Sequence, residues 1–205
     1  MEKQDKRKLP ENMIEVFDLI DEDLHPQPLD PAHEQGIRET CEHLLLINKI
    51  YEPFQFKTVL DLGCGQGLAS KIFIDAGKEC TGVTLADDKP CEGLENLEVI
   101  KKDIHFLELP DNSYDLIFAR HIIEHSPIPM YMLFEMKRVS KNFIYMVVPE
   151  CNWLGLQPKN HYAIFTPEMW EKLFERVGLK IVEKMIGKYH VHPKGIEYRY
   201  LLKSN

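Results

Sequence analysis

The apolar residues of this chain recur with two different periods, and these periods alternate along the sequence. Short apolar runs, which predict buried strands, are separated by segments in which apolar residues recur with the spacing of a helix. Strands that alternate with helices predict an α/β protein with a doubly wound, mostly parallel sheet. The predicted strands cover residues 57–62, 79–85, 97–102, 114–119, 143–148, 179–186 and 196–202.

The order and length of these segments predict how the strands are arranged. The runs at 57–62, 114–119 and 143–148 are apolar almost throughout, which is typical of central strands that are covered on both faces. Only residues 187–195 separate the last two strands, whereas a parallel crossover needs about a dozen residues or more. We therefore expect the last pair to run antiparallel.

Composition narrows the class of protein. A chain of 205 residues, 44% of them hydrophobic, can bury a substantial core as one domain. It has no apolar run of about 18 residues, so we expect no membrane span, and its charged start predicts no secretory signal. The net charge of −8 disfavours nucleic acid as a partner, because proteins that bind the phosphate backbone are normally basic.

The five cysteines argue for a reducing compartment. Their number is odd and they form no C-x-x-C pair, which disfavours both a disulfide framework and a cysteine zinc site. We therefore expect a cytoplasmic protein.

The first thirty residues differ from the rest of the chain. Residues 1–12 are polar, and the prolines of segment 25–28 exclude a regular helix there. We predict an N-terminal arm at 1–30 and one folded domain at 31–205. The arm could serve as a lid over a bound ligand or as a dimer contact, so both a monomer and a homodimer stay open.

The most informative segment is 59–67, which reads VLDLGCGQG in one-letter code. A buried strand ends at Asp61 and Leu62, and glycines then stand at alternate positions, where the backbone can take positive φ and a ligand can approach closely. This pattern resembles the cofactor loop of class I S-adenosylmethionine (SAM)-dependent methyltransferases, and segment 119–127 resembles the x-x-L-E-H segment of their small-molecule types 11 and 12. The resemblance implies a Rossmann-like, mostly parallel seven-stranded sheet with an antiparallel last strand, and methyl transfer from SAM to a small-molecule acceptor.

Other classes of protein stay open beside this resemblance. A nicotinamide enzyme also uses a glycine-rich turn, but its G-x-G-x-x-G pattern requires a glycine where this chain has Leu68. The resemblance also implies an acid two residues before the first glycine, as Asp61 is here. A SAM-binding protein without transfer activity is a further alternative.

The resemblance implies that the loops after the first four strands form the cofactor pocket. Asp61 would attract the cationic methionine end of SAM, while glycine N–H groups would receive its carboxylate. Asp103 would accept a hydrogen bond from the adenine amino group, with Ile104 packing near the ring. Backbone groups at Ala119 and Arg120 would face the methionine part. The implied cofactor-binding residues are Asp61, Gly63, Cys64, Gly65, Gln66, Gly67, Thr84, Leu85, Asp103, Ile104, Ala119 and Arg120.

The end of the second strand departs from the family pattern. An acid that binds the ribose hydroxyls usually stands there, about 20 residues after the glycines, but this chain has Thr84 followed by Leu85. The Thr84 hydroxyl could bond the ribose without charge assistance, or Asp87 or Asp88 could reach it instead.

The acceptor side leaves the most alternatives open. Methyl transfer needs proximity and alignment, and it needs a base only when the acceptor must lose a proton. The spacing of His121, Glu124 and His125 places them on one side of a helix, and His161 lies in an aromatic loop after the fifth strand. These four residues are candidate catalytic groups, and the histidines favour an oxygen acceptor.

Each candidate also has other interpretations. Glu124 and His125 could brace the sheet against a helix, and His161 could pack under the last helix. The segment is similar to a metal-binding E-x-x-E-H motif of ubiquinone-pathway O-methyltransferases, but His121 replaces the first glutamate, so we expect no metal. A sugar, a lipid precursor or a macromolecule is the alternative to a small-molecule acceptor.

Overall fold

The computed structural model describes most of the chain beyond the predicted arm, of which it includes only Asp30. Asp87 and Asp88 also lie outside the described residues. No helix in the described ranges is both long enough and apolar enough to cross a membrane. The described residues are 30–86, 94, 97–152, 155–156, 158–190, 192 and 194–204.

Seven strands among the described residues form one sheet. They are β1 (Thr58–Leu62), β2 (Glu79–Thr84), β3 (Glu98–Lys101), β4 (Tyr114–Arg120), β5 (Ser140–Pro149), β6 (Lys180–Tyr189) and β7 (Gly195–Lys203). Their spatial order is β3-β2-β1-β4-β5-β7-β6. Neighbours from β3 to β5 are parallel, whereas β7 runs antiparallel to both β5 and β6. This arrangement confirms the predicted fold class, including the antiparallel last strand.

Helices cover both faces of the sheet. In the described part of the chain they are α1 (Pro31–Ile50), α2 (Leu68–Asp75), α3 (Pro129–Val139) and α4 (Pro167–Val177), with 3-10 turns at Ile104–Phe106 and Ile123–His125. The Asp30 side chain caps α1 by accepting hydrogen bonds from the N–H groups of Ala32 and His33. Gly178 ends α4 with a left-handed φ of 77°.

The core consists of two apolar layers, one on each face. Val59 of β1 packs with α1 and α2, and the next residue, Leu60, packs with α3 and α4. Phe73 and Trp170 are fully buried anchors of the two layers. Because the central strands bury side chains on both faces, their sequences are apolar in succession, as predicted.

Two strands extend beyond the apolar runs that predicted them. β5 already begins at Ser140, where it pairs with Tyr114 of β4 across an irregularity in the register. β6 continues through Lys188 to Tyr189, paired with β7. Backbone hydrogen bonds hold these polar ends, and β6 is an edge strand whose side chains are largely open to solvent. Apolar periodicity therefore cannot locate them.

Candidate active site

A cavity of about 470 Å³ lies at the carboxyl ends of the central strands. The loops after β1 to β5 line it, together with parts of α1, β6 and β7. This is the edge at which open parallel sheets bind ligands. Gly67 caps α2 and Ala119 lies in the core, and neither lines the cavity. The other predicted site residues do: Asp61, Gly63, Cys64, Gly65, Gln66, Thr84, Leu85, Asp103, Ile104, Arg120, His121, Glu124, His125 and His161.

The glycine-rich loop after β1 needs its glycines for backbone conformation and for space. Gly63 has a φ of 72°, and a Cβ there would lie 2.7 Å from the side chain of Ile122. The N–H groups of Gly63 and Cys64 both donate to the carbonyl of Val83, and the Gly67 N–H donates to the Cys64 carbonyl. These three groups therefore fold the loop, and a bound carboxylate would have to use other donors.

Asp61 is a buried carboxylate in the wall of the cavity. Only 2% of the residue is exposed, and its Oδ2 accepts a hydrogen bond of 2.6 Å from the Ser70 hydroxyl on α2. Burial raises the pKa of Asp61 to about 6, against the hydrogen bonds from Ser70 that favour the ionised form. A cationic ligand group would restore full ionisation of this carboxylate.

Asp103 combines one saturated carboxylate oxygen with one unpaired oxygen. Its Oδ1 accepts from the backbone N–H of His105 at 2.8 Å and contacts the ring Nδ1 of His105 at 2.6 Å. Its Oδ2 is buried and has no hydrogen-bond partner among the described residues. The apolar neighbour Ile104 also lines the cavity. This pair offers an acceptor and an apolar surface to a flat, donor-bearing ligand.

Thr84 takes part in folding the loop after β2. The Thr84 Oγ1 accepts a hydrogen bond of 3.1 Å from the N–H of Ala86. The hydroxyl hydrogen can still donate to a ligand, since Thr84 and Leu85 both line the cavity.

His121 is held between two carboxylates. Its Nδ1 lies 3.0 Å from Glu124 Oε1, and its Nε2 lies 2.9 Å from Glu197 Oε2. Burial and the nearby Arg120 oppose protonation of the ring, but hydrogen bonds to both carboxylates outweigh them and raise the pKa of His121. Because both nitrogens donate to carboxylates, this geometry argues against His121 as a base.

The prediction that His121, Glu124 and His125 share one side of a helix is wrong. Only Ile123–His125 forms a 3-10 turn, while His121 has a left-handed φ of 51°. His121 and Glu124 still meet, but His125 bonds to the carbonyl of Asn160 in the loop after β5.

Glu197 of β7 is the centre of a buried charge network that the sequence did not indicate. It is 0% exposed and accepts hydrogen bonds from Arg120 at 3.1 Å and from Arg199 at 2.7 Å, besides the contact with His121. Burial opposes its ionisation, but His121 and the two arginines outweigh burial and lower the pKa of Glu197 to about 2.

Replacing Glu197 by glutamine is expected to lower the free energy of unfolding by about 3–5 kcal/mol, because it removes the carboxylate that compensates the buried Arg120 and one of the carboxylates that pair with His121 and with Arg199. Urea unfolding at pH 7 measures this loss. The pKa of Glu197 lies below its ordinary value of 4.5, so its contribution is present above that pH and is lost as the pH falls toward 2. The exposed Glu175→Gln variant is the matched control and should change stability by less than about 0.5 kcal/mol. Equal stability of the two variants would contradict the role of the network.

Glu124, His125 and His161 form a group that we call the acceptor corner. The Nδ1 of His125 bonds to the Asn160 carbonyl at 3.0 Å, and the Nδ1 of His161 bonds to the Gly155 carbonyl at 2.6 Å. Since a carbonyl only accepts, both Nδ1 atoms carry hydrogen, and Nε2 is the ring nitrogen that can accept a hydrogen bond.

The acceptor corner thus gathers hydrogen-bond acceptors. Glu124 Oε2 is buried without a hydrogen-bond partner among the described residues. One potential ligand atom from each of the three side chains lies within 4.8 Å of the others. The corner could hold a donor-bearing group or a divalent cation.

Comparison with known proteins agrees with this fold. Residues 60–146 match the model of a family described as a methyltransferase domain, of type 11. The ubiquinone biosynthesis O-methyltransferase of Hydrogenovibrio crunogenus is 24% identical over 178 residues, which cover 76% of this chain and 71% of that protein.

Solved structures share the fold at lower identity. The 1,6-didemethyltoxoflavin-N1-methyltransferase of Burkholderia thailandensis, with bound S-adenosylhomocysteine (SAH), has a TM-score of 0.69 at 15% identity over 84% of this chain and 80% of that one. The magnesium protoporphyrin IX methyltransferase of Synechocystis PCC 6803, also with bound SAH, has a TM-score of 0.66 at 13% identity over 94% of each chain. The matched residues, the sheet order and the glycine-rich loop agree: residues 60–146 carry a methyltransferase domain, and the chain has the fold of the class I SAM-dependent methyltransferases.

Proposed function

We propose that this enzyme transfers the methyl group of SAM to a hydroxyl oxygen of a small molecule. The observation that carries this proposal is the acceptor corner, where two imidazole lone pairs and a carboxylate oxygen belong to the lining of one cavity. Such a set of acceptors suits a ligand group that donates a hydrogen bond and gives up a proton.

The carboxylates at the cofactor end of the same cavity complement the donor groups of SAM. We assign Asp61 to the ammonium group of SAM, since a buried carboxylate gains from a cationic partner. We assign Asp103 Oδ2, which has no partner among the described residues, to the adenine amino group. When bound, SAM supplies a methyl group on a cationic sulfur, and transfer to oxygen breaks the carbon–sulfur bond and leaves a neutral thioether. The protein then has to align the acceptor and remove its proton.

We assign the role of base to His161. Burial lowers the pKa of His161 below its ordinary value of 6.5, so the ring is neutral at pH 7. Its Nε2 lone pair takes the hydroxyl proton as the oxygen bonds to carbon. Glu124 and the Nε2 of His125 orient the hydroxyl, and His121 positions Glu124 through their hydrogen bond.

A screen of acceptors tests the proposal. The purified protein is incubated with SAM and with phenols, catechols, alcohols, sugars or amines, and SAH release is measured. SAH release with a hydroxyl compound, and an O-methylated product by mass spectrometry, is the expected result. Release with amines alone would overturn the assignment of oxygen, and binding of SAM without release in any arm would favour a protein without transfer activity.

Treatment with a chelator distinguishes two roles of the acceptor corner, proton transfer by its side chains and the binding of a metal ion. We propose that the corner works without a metal, so EDTA should leave the rate with a productive acceptor unchanged. A loss of rate that a divalent cation restores would reassign Glu124, His125 and His161 as ligands.

We also propose a cytoplasmic location and a monomeric or homodimeric state, with residues 1–30 as an arm or lid and residues 31–205 as the methyltransferase domain. The four described cysteines are free thiols, which supports a reducing compartment. Light scattering of the full chain, and of a chain that lacks the arm, tests its role in assembly.

A further inference from the structure

A chain of buried polar side chains runs along the wall of the cavity from Asp103 through His105 to Ser126. Asp103 and His105 are 3% and 4% exposed, and Ser126 is 1% exposed. None of the proposed steps of methyl transfer uses His105 or Ser126. Buried polar groups of this kind lose water on folding, so their mutual contacts fix their orientation.

His105 makes two hydrogen bonds to the same carboxylate oxygen of Asp103. Its backbone N–H and its ring Nδ1 both bond to Oδ1, at 2.8 and 2.6 Å. A carboxylate held through one oxygen by two donors from the same residue cannot rotate freely. The other oxygen, Oδ2, is thereby left for a ligand, and no described residue bonds to it.

The ring of His105 is itself held on its far side. Its Nε2 lies 2.6 Å from the Ser126 hydroxyl, which also accepts the backbone N–H of Ile128 at 3.2 Å. The ring of Tyr131 is stacked on it at a centroid distance of 6.5 Å. When Nδ1–H donates to Asp103, the Nε2 can accept the hydrogen of the Ser126 hydroxyl, and each group of the chain then donates to the next.

We infer that His105 is a positioning residue that fixes Asp103 for the 6-amino group of the purine and so sets the preference for adenine over a 6-oxopurine. This inference rests on the proposed role of Asp103. An amino group donates to Oδ2, whereas a carbonyl in its place would face a fixed, buried carboxylate oxygen. Selectivity of this kind requires that the carboxylate cannot turn away from the purine. The hydrogen bonds from His105, whose ring is held by Ser126, prevent that rotation.

Calorimetric titration with two probes tests the inference without any methyl acceptor. The probes are SAH and S-inosylhomocysteine, in which a carbonyl replaces the 6-amino group. The wild-type protein should prefer SAH by about 10- to 100-fold, the range expected for a hydrogen bond to a charged group. The His105→Leu variant should lower this ratio to less than about 3-fold, because Asp103 keeps only the backbone N–H bond and can turn about it.

Conservative variants keep the test decisive if His105→Leu fails to fold. His105→Asn retains an N–H donor near the position of Nδ1 and should keep most of the preference, whereas His105→Gln should lose it. Asp103→Asn should abolish the preference. Asp61→Asn, at the other end of the cofactor, should weaken both probes equally and leave the ratio unchanged.

The ratio separates positioning from general damage to the fold, because damage weakens both probes alike. A wild-type ratio in both His105→Leu and His105→Gln would overturn the role of His105. A wild-type protein that binds both probes equally would instead overturn the assignment of Asp103 to the amino group.

Discussion

Replacing His161 by asparagine is expected to lower kcat by about 10²- to 10⁴-fold, the usual contribution of a general base. The asparagine amide can still donate to the Gly155 carbonyl, which His161 Nδ1 bonds at 2.6 Å, so the loop keeps its anchor. Only the basic Nε2 is lost. The Kd of SAH should stay at the wild-type value, because His161 is assigned to the acceptor and not to the cofactor.

The dependence of kcat on pH is a second test of the role of His161 as the base. Burial lowers the pKa of His161, so wild-type kcat should be flat near pH 7 and should fall as the pH drops through that lowered value and the base becomes protonated. The His161→Asn variant should lose this acidic limb. His43→Asn, a histidine that bonds to Glu183 and does not line the cavity, is the matched control. A wild-type kcat in the His161→Asn variant would show that His161 is not the base and that the enzyme acts by alignment of the two substrates alone.

Replacing Asp61 by asparagine is expected to weaken SAM binding by about 100-fold, the order lost when one member of a buried, charge-assisted pair is neutralised. Calorimetry at pH 8 measures this change. In the wild-type protein, the pKa of Asp61 is about 6 without ligand, so the ionised fraction falls to about one tenth at pH 5. SAM affinity should therefore fall about tenfold from pH 8 to pH 5 in the wild type and should not change in the variant.

Asp61→Asn should raise the stability of the unliganded protein, although it weakens SAM binding. Burial raises the pKa of Asp61, so the folded protein holds the proton more tightly than the unfolded chain, and ionisation above pH 6 destabilises the unliganded fold. The variant should therefore melt at a higher temperature than the wild type at pH 8, although it binds SAM less well. Ser70→Ala removes a hydrogen bond to the ionised form and should move the pH midpoint of binding upward. A variant that loses both stability and binding would indicate a structural role alone.

The sequence predicts best those features that depend on neighbouring residues. The glycines after β1 were predictable because the turn and the capping of α2 are local. The place of Asp103 at the cavity was predictable because it lies just after β3 and parallel strands bring their carboxyl ends to one edge, whereas its contact with adenine was only implied by the resemblance. His161 was identified from a polar position in an aromatic loop.

The sequence predicts less well the features that depend on contacts between distant segments. His121 was expected to share a helix side with its neighbours, but a buried glutamate from β7 meets its ring and the backbone turns into a left-handed conformation. In the first five residues of β7 the buried positions alternate, and two of them are Glu197 and Arg199. Charged residues at alternate positions of a strand are the signal that could have indicated a charge network beside β7.

His105 was missed for a related reason. The D-x-H spacing allows a histidine to bond back to the acid two residues earlier, but the spacing alone does not show that Ser126, from another loop, holds the ring from behind. A serine after β4 has no periodic or compositional signal. Contacts of this kind become visible only when the register of the sheet places both loops side by side.

The position of β7 has a consequence for the order in which the protein matures during translation. This strand enters the sheet between two strands made earlier, and it delivers the carboxylate that Arg120 and His121 need. A nascent chain that ends at residue 190 holds every glycine of the loop but leaves Arg120 without Glu197 and His121 with Glu124 alone. Residues 195–203 must therefore be in place before the pocket can reach its final electrostatic state.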